Sequence, residues 1–297
     1  MRDVFPLRYF TTKCRLFFIL LLGFLALTSA GSAHAQSVQI GQFEFSEWNG
    51  PPLNIFYAEA NGLNVNAPIV IVMHGVDRNA DDYRDNWIEL ARTFGFFVYA
   101  PEFDKARFPK SANYNLGGLT KSSGRAFDAM EPLFDAIKAR RGATQTGYYL
   151  FGHSAGGQFV HRYVFFGKPK RMKLALAANS GWYTLPTRAA KWPYGLAGLK
   201  RSLYDVDALL KAPLTILLGD QDIDPYAENL RHTPEADAQG MNRYDRGIYF
   251  LKRSNTIAEQ RQIRSAWSYH VVPGVAHDNA AMAVAAAALV DQHAKEN

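Results

Sequence analysis

Short runs of apolar residues recur along this chain and alternate with segments whose apolar residues have helical spacing. Residues 68–73 are continuously apolar and rich in β-branched side chains, as expected of a strand that is buried on both faces. Residues 81–94 follow with the spacing of a helix. The strand pattern returns at residues 96–99, 148–151, 174–178, 214–218 and 267–272. This alternation predicts an α/β fold, in which a mostly parallel sheet has helices on both faces.

Further patterns complete the predicted architecture. Residues 43–48 and 53–58 have the pattern of short strands, and the Asn-Gly-Pro-Pro turn between them indicates an antiparallel pair at one edge of the sheet. With this pair the sheet has about eight strands. Other predicted helices cover residues 127–139, 157–166 and 280–294. Residues 182–210 break the rhythm with prolines, glycines and large aromatic side chains, and they predict a small cap-like insertion over the strand ends.

Residues 1–35 have the pattern of a secretory signal peptide. Basic residues precede an unbroken apolar run at 16–27, and Ala33-His34-Ala35 then supplies small residues where a signal peptidase reads. The alternative, a permanent membrane anchor, would need about 20 apolar residues. The sequence therefore predicts cleavage before Gln36, export to the periplasm or the medium without a stable membrane anchor, and a single domain at 36–297.

Removal of this leader changes the charge and the thiol content of the chain. The 297 residues carry 33 basic and 27 acidic side chains; the leader takes four and one of them, which leaves 29 and 26 and a net charge of +3. This balance indicates no nucleic acid or other polyanionic partner. Cys14, the one cysteine of the sequence, leaves with the leader, so stability is expected from packing alone.

Candidate chemistry begins at residues 152–156, Gly-His-Ser-Ala-Gly, between a predicted strand and a predicted helix. This order is typical of a serine nucleophile on a sharp turn, because the two glycines let the backbone fold tightly enough to expose the serine side chain. The same five-residue pattern also arises by chance, so its partners decide its meaning. Ser154 is the predicted nucleophile.

A serine hydroxyl needs a base that takes its proton. His277 has the position expected of that base, because it follows the last predicted strand at the same edge of the sheet as Ser154. The alternative interpretation is that His277 is a surface histidine without a catalytic role. His153, which is adjacent to the nucleophile, is expected to point away from it.

An acid should orient the base, and it should follow a strand that lies between the serine and the histidine in the sequence. Residues 219–224 offer three carboxylates in such a position. Asp222 is favoured because the chain must first turn at the glycine that ends the strand. Asp220 and Asp224 remain the alternative candidates for the acid. If Asp222 is the acid, Asp220 could brace the turn and Asp224 could stabilise the loop.

Two backbone N–H groups are expected to stabilise the oxyanion of an acyl-transfer intermediate. The N–H of Ala155 lies at the start of the helix that follows the serine, where the helix dipole also favours negative charge. The N–H of Val76 is the second candidate, in the loop after the strand at 68–73. Gly75 permits the turn of this loop, and His74 is expected to hold it by hydrogen bonds.

The chain order of these serine, aspartate and histidine residues, with the His-Gly turn after a buried strand, resembles the α/β-hydrolase superfamily over nearly the whole of 36–297. The segment 73–80, Met-His-Gly-Val-Asp-Arg-Asn-Ala, is similar to the exported polyhydroxyalkanoate depolymerase and feruloyl esterase branch. The resemblance implies a serine hydrolase that cleaves carboxylic esters of small-molecule or oligomeric substrates through an acyl-enzyme.

Alternatives to this interpretation remain open. A serine peptidase or amidase would use the same triad, and a non-catalytic binding protein could retain the fold. No clustered histidine or His-Glu-X-X-His pattern occurs, so no metal and no cofactor is predicted. Five aromatic residues line a substrate pocket or simply cover the sheet: Tyr114, Trp182, Tyr183, Trp192 and Tyr194.

Overall fold

The computed structural model describes residues 37–297. Eight strands of this part form one sheet: β1 (Val38–Phe45), β2 (Leu53–Ala60), β3 (Ile69–Met73), β4 (Phe97–Glu102), β5 (Tyr148–His153), β6 (Met172–Ala178), β7 (Leu214–Gly219) and β8 (Ser268–Val272). Their order is β1-β2-β4-β3-β5-β6-β7-β8. The pairs β1–β2 and β2–β4 are antiparallel and the others are parallel, which confirms the predicted fold class. The predicted signal peptide lies outside the described residues.

Helices cover both faces of the sheet. The α-helices of the described residues are α1 (Ala80–Asp85), α2 (Ile88–Phe94), α3 (Lys110–Asn113), α4 (Met130–Arg141), α5 (Ala155–Phe166), α6 (Val206–Lys211), α7 (Pro234–Asp237), α8 (Arg243–Gln260) and α9 (Asn279–Glu296). Short 3-10 helices lie at Ala126–Ala129 and Arg201–Leu203. Side chains of α4, α5 and α8 join the apolar core on one face, and those of α1, α2 and α9 join the core on the other.

The central strands bury both of their faces, as their apolar runs predict. In β3, Ile69, Ile71 and Met73 belong to one core, whereas Val70 and Val72 belong to the other. Successive side chains of a strand point to opposite faces, so a run with no polar interruption is needed to fill both cores. Polar side chains are thereby left to the loops at the strand ends, where ligands of open α/β sheets bind.

The structure corrects the helix that the spacing predicted over 81–94, because two helices occupy this range. The N–H of Trp87 donates to the carbonyl of Arg84 at 2.9 Å, three residues back, instead of four. The tighter turn ends α1 and directs Trp87 into the core, where its ring lies 5.3 Å from that of Phe151. A spacing of apolar residues does not register such a break.

Helix α8 is the largest element that the sequence patterns missed. Its buried face contains Arg243 and Arg246 together with Phe250 and Leu251. Two charged side chains therefore occupy positions that an amphipathic pattern assigns to apolar residues, and the helical signal is lost.

Residues 182–210, the predicted cap-like insertion, add no strand to the sheet. Turns and one 3-10 helix precede α6. Tyr183, Leu185 and Leu196 are buried in the main core and anchor the segment. Within residues 37–297, no helix combines the length and apolarity that crossing a membrane requires.

Candidate active site

Ser154 occupies the sharp turn between β5 and α5. Its backbone has φ 58° and ψ −117°, a region that non-glycine residues adopt only when their surroundings enforce it. The N–H of Ser154 donates to the carbonyl of Ala178 at 3.0 Å, which ties the turn to β6. A Cβ atom at Gly156 would collide with the carbonyl oxygen of Met73, so the helix approaches β3 closely only because this position is glycine.

Asp222 is the carboxylate that meets His277. The Nδ1–H of His277 donates to Asp222 Oδ2 at 2.7 Å, and the Asp222 side chain is 2% exposed. The two alternative acids hold the loops instead. Asp220 accepts the N–H of Gly274 at 2.7 Å, and Asp224 accepts the N–H of Tyr226 at 2.8 Å.

Asn179, directly after β6, fixes the two loops that carry this pair. Its Oδ1 accepts the N–H of Gly219, where the acid loop begins, at 2.8 Å. Its Nδ2 donates to the carbonyl of Ala276, next to His277, at 2.9 Å. Asn179 is buried and has φ 43°, which asparagine tolerates better than most residues. Its position at the carboxyl end of a predicted strand was the sequence signal that could have drawn attention to it.

Arg243, the first residue of α8, is a second contact that the sequence patterns missed. Its Nη1 donates to Asp222 Oδ1 at 3.3 Å, and its Nη2 donates to the carbonyl of Glu228 at 2.9 Å. Both side chains of the Arg243–Asp222 pair are almost fully buried. Asp222 therefore has a histidine on one carboxylate oxygen and an arginine on the other.

The ring of His153 packs against that of His277 with 4.4 Å between centroids, a contact with the predicted base that the sequence patterns did not indicate. The hydroxyl of Tyr83 lies 3.3 Å from His153 Nδ1. Burial lowers the pKa of His153 well below its usual range, and the neighbouring His277 acts in the same direction. A neutral ring thus supports one side of His277.

The loop after β3 is held by His74, in the role that the sequence suggested for it. His74 Nδ1–H donates to the carbonyl of Gly75 and its Nε2 accepts the N–H of Phe103, both at 3.0 Å. The hydroxyl of Tyr114 donates to the His74 carbonyl at 2.6 Å. Burial lowers the pKa of His74 to about 3, so the ring is neutral and can accept a hydrogen bond. Val76 follows on the exposed side of this loop.

Two cavities meet at Ser154. The larger has a volume of about 620 Å³, and its lining includes Val76, Ala155, Tyr114 and Trp182 as well as Ser154. The smaller has a volume of about 220 Å³ and is lined by Ser154, His153 and His277 among others. The predicted nucleophile, base and oxyanion residues are thus brought to one edge of the sheet.

Three of the five predicted pocket aromatics lie outside the lining of the larger cavity. Tyr183 is fully buried and stacks on Phe250 at 4.6 Å, because its side chain turns into the core. Trp192 packs against Phe166 at 5.3 Å. Tyr194 supports Trp182 from behind at 4.7 Å. Tyr114 and Trp182 remain as lining residues.

Solved structures of two other proteins are similar to this chain over most of its length. Poly(aspartic acid) hydrolase-1 from Sphingomonas sp. KT-1 is 39% identical with a TM-score of 0.80, and the match covers 84% of this chain and 98% of that one. The LpqC poly(3-hydroxybutyrate) depolymerase from Bordetella parapertussis is 35% identical with a TM-score of 0.77, and the match covers 85% and 90%.

A third relative matches a shorter region, and no family model matches the chain. Poly(3-hydroxyalkanoate) depolymerase C of Paucimonas lemoignei is 28% identical over 131 residues, which are 43% of this chain and 30% of that protein. The chain therefore spans about a third of the length of this curated relative.

The fold and the first two matches define an enzyme of the hydrolase class. The chain belongs to the α/β-hydrolase superfamily, in the depolymerase branch that contains both solved relatives. The predicted enzyme class is confirmed at the level of a hydrolase.

Proposed function

We propose that this protein is an exported serine hydrolase that cleaves carboxylic esters with Ser154 as nucleophile, His277 as base and Asp222 as the orienting acid. The observation that carries the proposal is the 2.7 Å hydrogen bond between His277 Nδ1 and Asp222 Oδ2, at the edge of the sheet where Ser154 is held in a strained turn. A base that is oriented by a buried acid and lies beside a partly exposed serine is the arrangement that activates a hydroxyl.

The proposed reaction has two halves. Because Nδ1–H of His277 is bonded to Asp222, Nε2 is free to take the proton of Ser154 Oγ as the oxygen attacks the ester carbonyl carbon. Collapse of the tetrahedral intermediate breaks the bond to the alcohol, which leaves with that proton. Water then attacks the acyl-serine, gives its proton to His277 Nε2, and releases the carboxylate product while Ser154 regains its hydrogen.

The backbone N–H groups of Val76 and Ala155 are the proposed donors to the oxyanion. Both residues line the larger cavity with Ser154. Among the described residues, the N–H of Val76 donates to no protein acceptor, so it is available to a ligand. The N–H of Ala155 opens α5, where the first N–H groups of a helix have no partner inside the helix. Such preorganised donors lower the barrier without reorganisation during the reaction.

Amide hydrolysis is a second candidate reaction. The specific observation that favours it is the 39% identity to a protein described as a poly(aspartic acid) hydrolase, whose bonds are amides. The ester assignment is favoured by the two relatives described as polyhydroxyalkanoate-type depolymerases.

Export belongs to the same proposal, because the leader pattern of residues 1–35 is that of a secreted protein. N-terminal sequencing of protein from culture medium and periplasm would test it.

A fluorophosphonate probe tests the nucleophile. The probe should label the wild-type chain at Ser154, as read by mass spectrometry of the modified peptide, and Ser154→Ala should stay unlabelled. Ser111→Ala is the matched control, because Ser111 lines the same cavity and its replacement should leave the labelling intact. A folded wild-type chain that takes no label would contradict the proposal.

A substrate panel separates the two candidate reactions. Short-chain p-nitrophenyl esters, hydroxybutyrate oligomers and aspartic acid oligomers should each be compared with the Ser154→Ala variant. Esters are expected to be cleaved with the higher kcat/KM, because an alcohol is a better leaving group than an amine. Amide cleavage that exceeds ester cleavage would favour the amidase.

A further inference from the structure

The larger cavity beside Ser154 is lined by cations and contains no carboxylate. Its lining includes five positively charged side chains and no aspartate or glutamate. These side chains are Arg78, Lys105, Lys110, Arg231 and Arg243. They come from the loops after β3, β4 and β7 and from the starts of α3 and α8, so the positive charge is supplied from several separate segments.

Most of these cations form no ion pair with an acidic side chain of residues 37–297. Arg243 pairs with Asp222, but Arg78, Lys105, Lys110 and Arg231 take part in none of the ion pairs of residues 37–297. The guanidinium of Arg78 donates to backbone carbonyls, including that of Phe108 at 3.2 Å. Like charges gathered around one cavity repel one another, which a ligand of opposite charge would relieve.

Arg162 is an independent observation directly behind the same wall. It is fully buried, and its Nη2 has no hydrogen-bond partner among the described residues. Its Nη1 donates to Gln158 Oε1 and to the carbonyl of Asn115, both at 3.2 Å, and both of these residues line the cavity. Arg162 therefore adds a buried cation that has no carboxylate partner in the described part of the chain, although a buried charge is ordinarily paired.

The ring of Trp182 lies close to two of these cations. The guanidinium carbon of Arg162 is 4.1 Å from the Trp182 ring, and that of Arg231 is 5.4 Å from it. Arg231 also lies 5.8 Å from the ring of Tyr194. Stacking on aromatic rings fixes the plane of a guanidinium while its N–H edge stays free to bind a carboxylate with two parallel hydrogen bonds.

The smaller cavity has the opposite character. Its lining includes the carboxylates Asp77 and Glu228 beside His277, and the cation Arg243 that also lines it is paired with Asp222. Positive charge is therefore concentrated on one side of Ser154 and is not a general property of the cleft.

From this asymmetry we infer that the larger cavity binds free carboxylates of the substrate, so that the enzyme prefers oligomers or hemiesters that carry carboxylates near the scissile bond. Several cations from separate segments suit a ligand with carboxylates along its length better than one compact anion. The inference rests on the proposed function for the reaction that follows binding, but the charge complementarity is independent of whether the bond is an ester or an amide.

A matched pair of substrates tests the inference. Mono-p-nitrophenyl adipate carries a free carboxylate, and its methyl ester has the same acyl chain without that charge. The ratio of their kcat/KM values should exceed one and should fall as NaCl is raised from about 0.05 to about 0.5 M, because salt screens exposed charges.

Single replacements of Lys105, Lys110 and Arg231 by Gln should each lower this ratio by about two- to fivefold. Lys252→Gln is the matched control, since Lys252 is an exposed cation on α8 that does not line the cavity. Titration calorimetry of tri-aspartate with the Ser154→Ala variant measures binding to the same site without turnover. Each of the three replacements, made in this background, should weaken that binding.

The outcomes separate the two hypotheses. Ser154-dependent cleavage of both esters with a ratio at or below one would overturn the inference and leave the proposed function standing. Absence of cleavage with tri-aspartate binding that depends on Arg231 would overturn the proposed function and leave the inference standing. A ratio that changes as much in Lys252→Gln as in the other variants would also overturn the inference, because general surface charge would then be the cause.

Discussion

The two cavities that meet at Ser154 are built by different means. In the smaller one, His277 and the acid behind it are fixed by short hydrogen bonds and a packed ring, as in the 2.7 Å bond to Asp222. In the larger one, most charged side chains form no ion pair within residues 37–297, and several of them, such as Lys105 and Arg231, are exposed. The fixed geometry of the smaller cavity suits the chemical step, which is the same for every substrate. The unpaired charges of the larger cavity suit substrate specificity.

Arg243 belongs to both regions. It lines both cavities, and its ion pair with Asp222 links the cationic wall to the acid. The comparison therefore predicts a division: changes behind His277 should affect all substrates alike, whereas changes in the wall should affect charged substrates selectively.

Replacement of the orienting acid should give the largest effect. Asp222→Asn removes the charge that supports protonated His277, and kcat should fall by about 10⁴. Because the loss arises behind His277, the ratio between charged and neutral adipate esters should stay unchanged. Steady-state kinetics on both esters would measure this.

Asp224→Asn is the control for this replacement. Asp224 accepts the N–H of Tyr226 in the same loop and lies on the exposed surface, so the rate should change little. A larger loss at Asp224 than at Asp222 would reassign the acid, and a loss confined to one ester would break the division between the two cavities.

Acid should weaken the support of both cavities, because each rests on buried neutral histidines. His74 holds the Val76 loop, and His161 accepts the N–H of Thr184 at 3.2 Å beneath the larger cavity. Burial lowers the pKa of His74 to about 3 and that of His161 well below its usual range. Unfolded histidine has a pKa of about 6.5, so below that pH the unfolded chain binds more protons and stability falls towards pH 3.

At about pH 5, His74 alone should lower the free energy of unfolding by about 2 kcal/mol relative to about pH 7.5. Urea denaturation at the two pH values measures the difference. His74→Gln should make it about 2 kcal/mol smaller, whereas His270→Gln, at an exposed position of β8, should leave it unchanged. Equal stability of the wild-type chain at both pH values would contradict the prediction.

The sequence predicted the geometry of the smaller cavity better than that of the larger one, for a physical reason. Ser154 and His277 follow strands whose apolar runs are unmistakable, and the carboxyl ends of parallel strands meet at one edge. Asp222 was favoured over its neighbours but not singled out, because the direction of a side chain in a turn depends on contacts such as that between Gly219 and Asn179 and not on spacing.

The cationic wall could not be predicted from composition. A net charge of +3 for residues 36–297 indicated no polyanionic partner, but an overall balance is silent about position. Arg78, Lys105 and Arg231 are distant in the sequence and lie in loops, where no periodic pattern marks them. Arg243 was hidden in a helix whose buried face is partly charged.

The smallest expected effect concerns the two carboxylates of the smaller cavity. Asp77→Asn and Glu228→Gln each remove a negative charge near His277, and both side chains are exposed. The kcat/KM of the charged adipate ester should rise by about two- to fivefold, since exposed charges contribute modestly, and that of the methyl ester should rise less. Asp85→Asn, an exposed carboxylate outside both cavities, is the control and should leave the ratio unchanged. A fall in the ratio of the two kcat/KM values in Asp77→Asn or Glu228→Gln would mean that these carboxylates do not repel the carboxylate of the substrate. The opposition between the two cavities would then not govern how the substrate is oriented across Ser154.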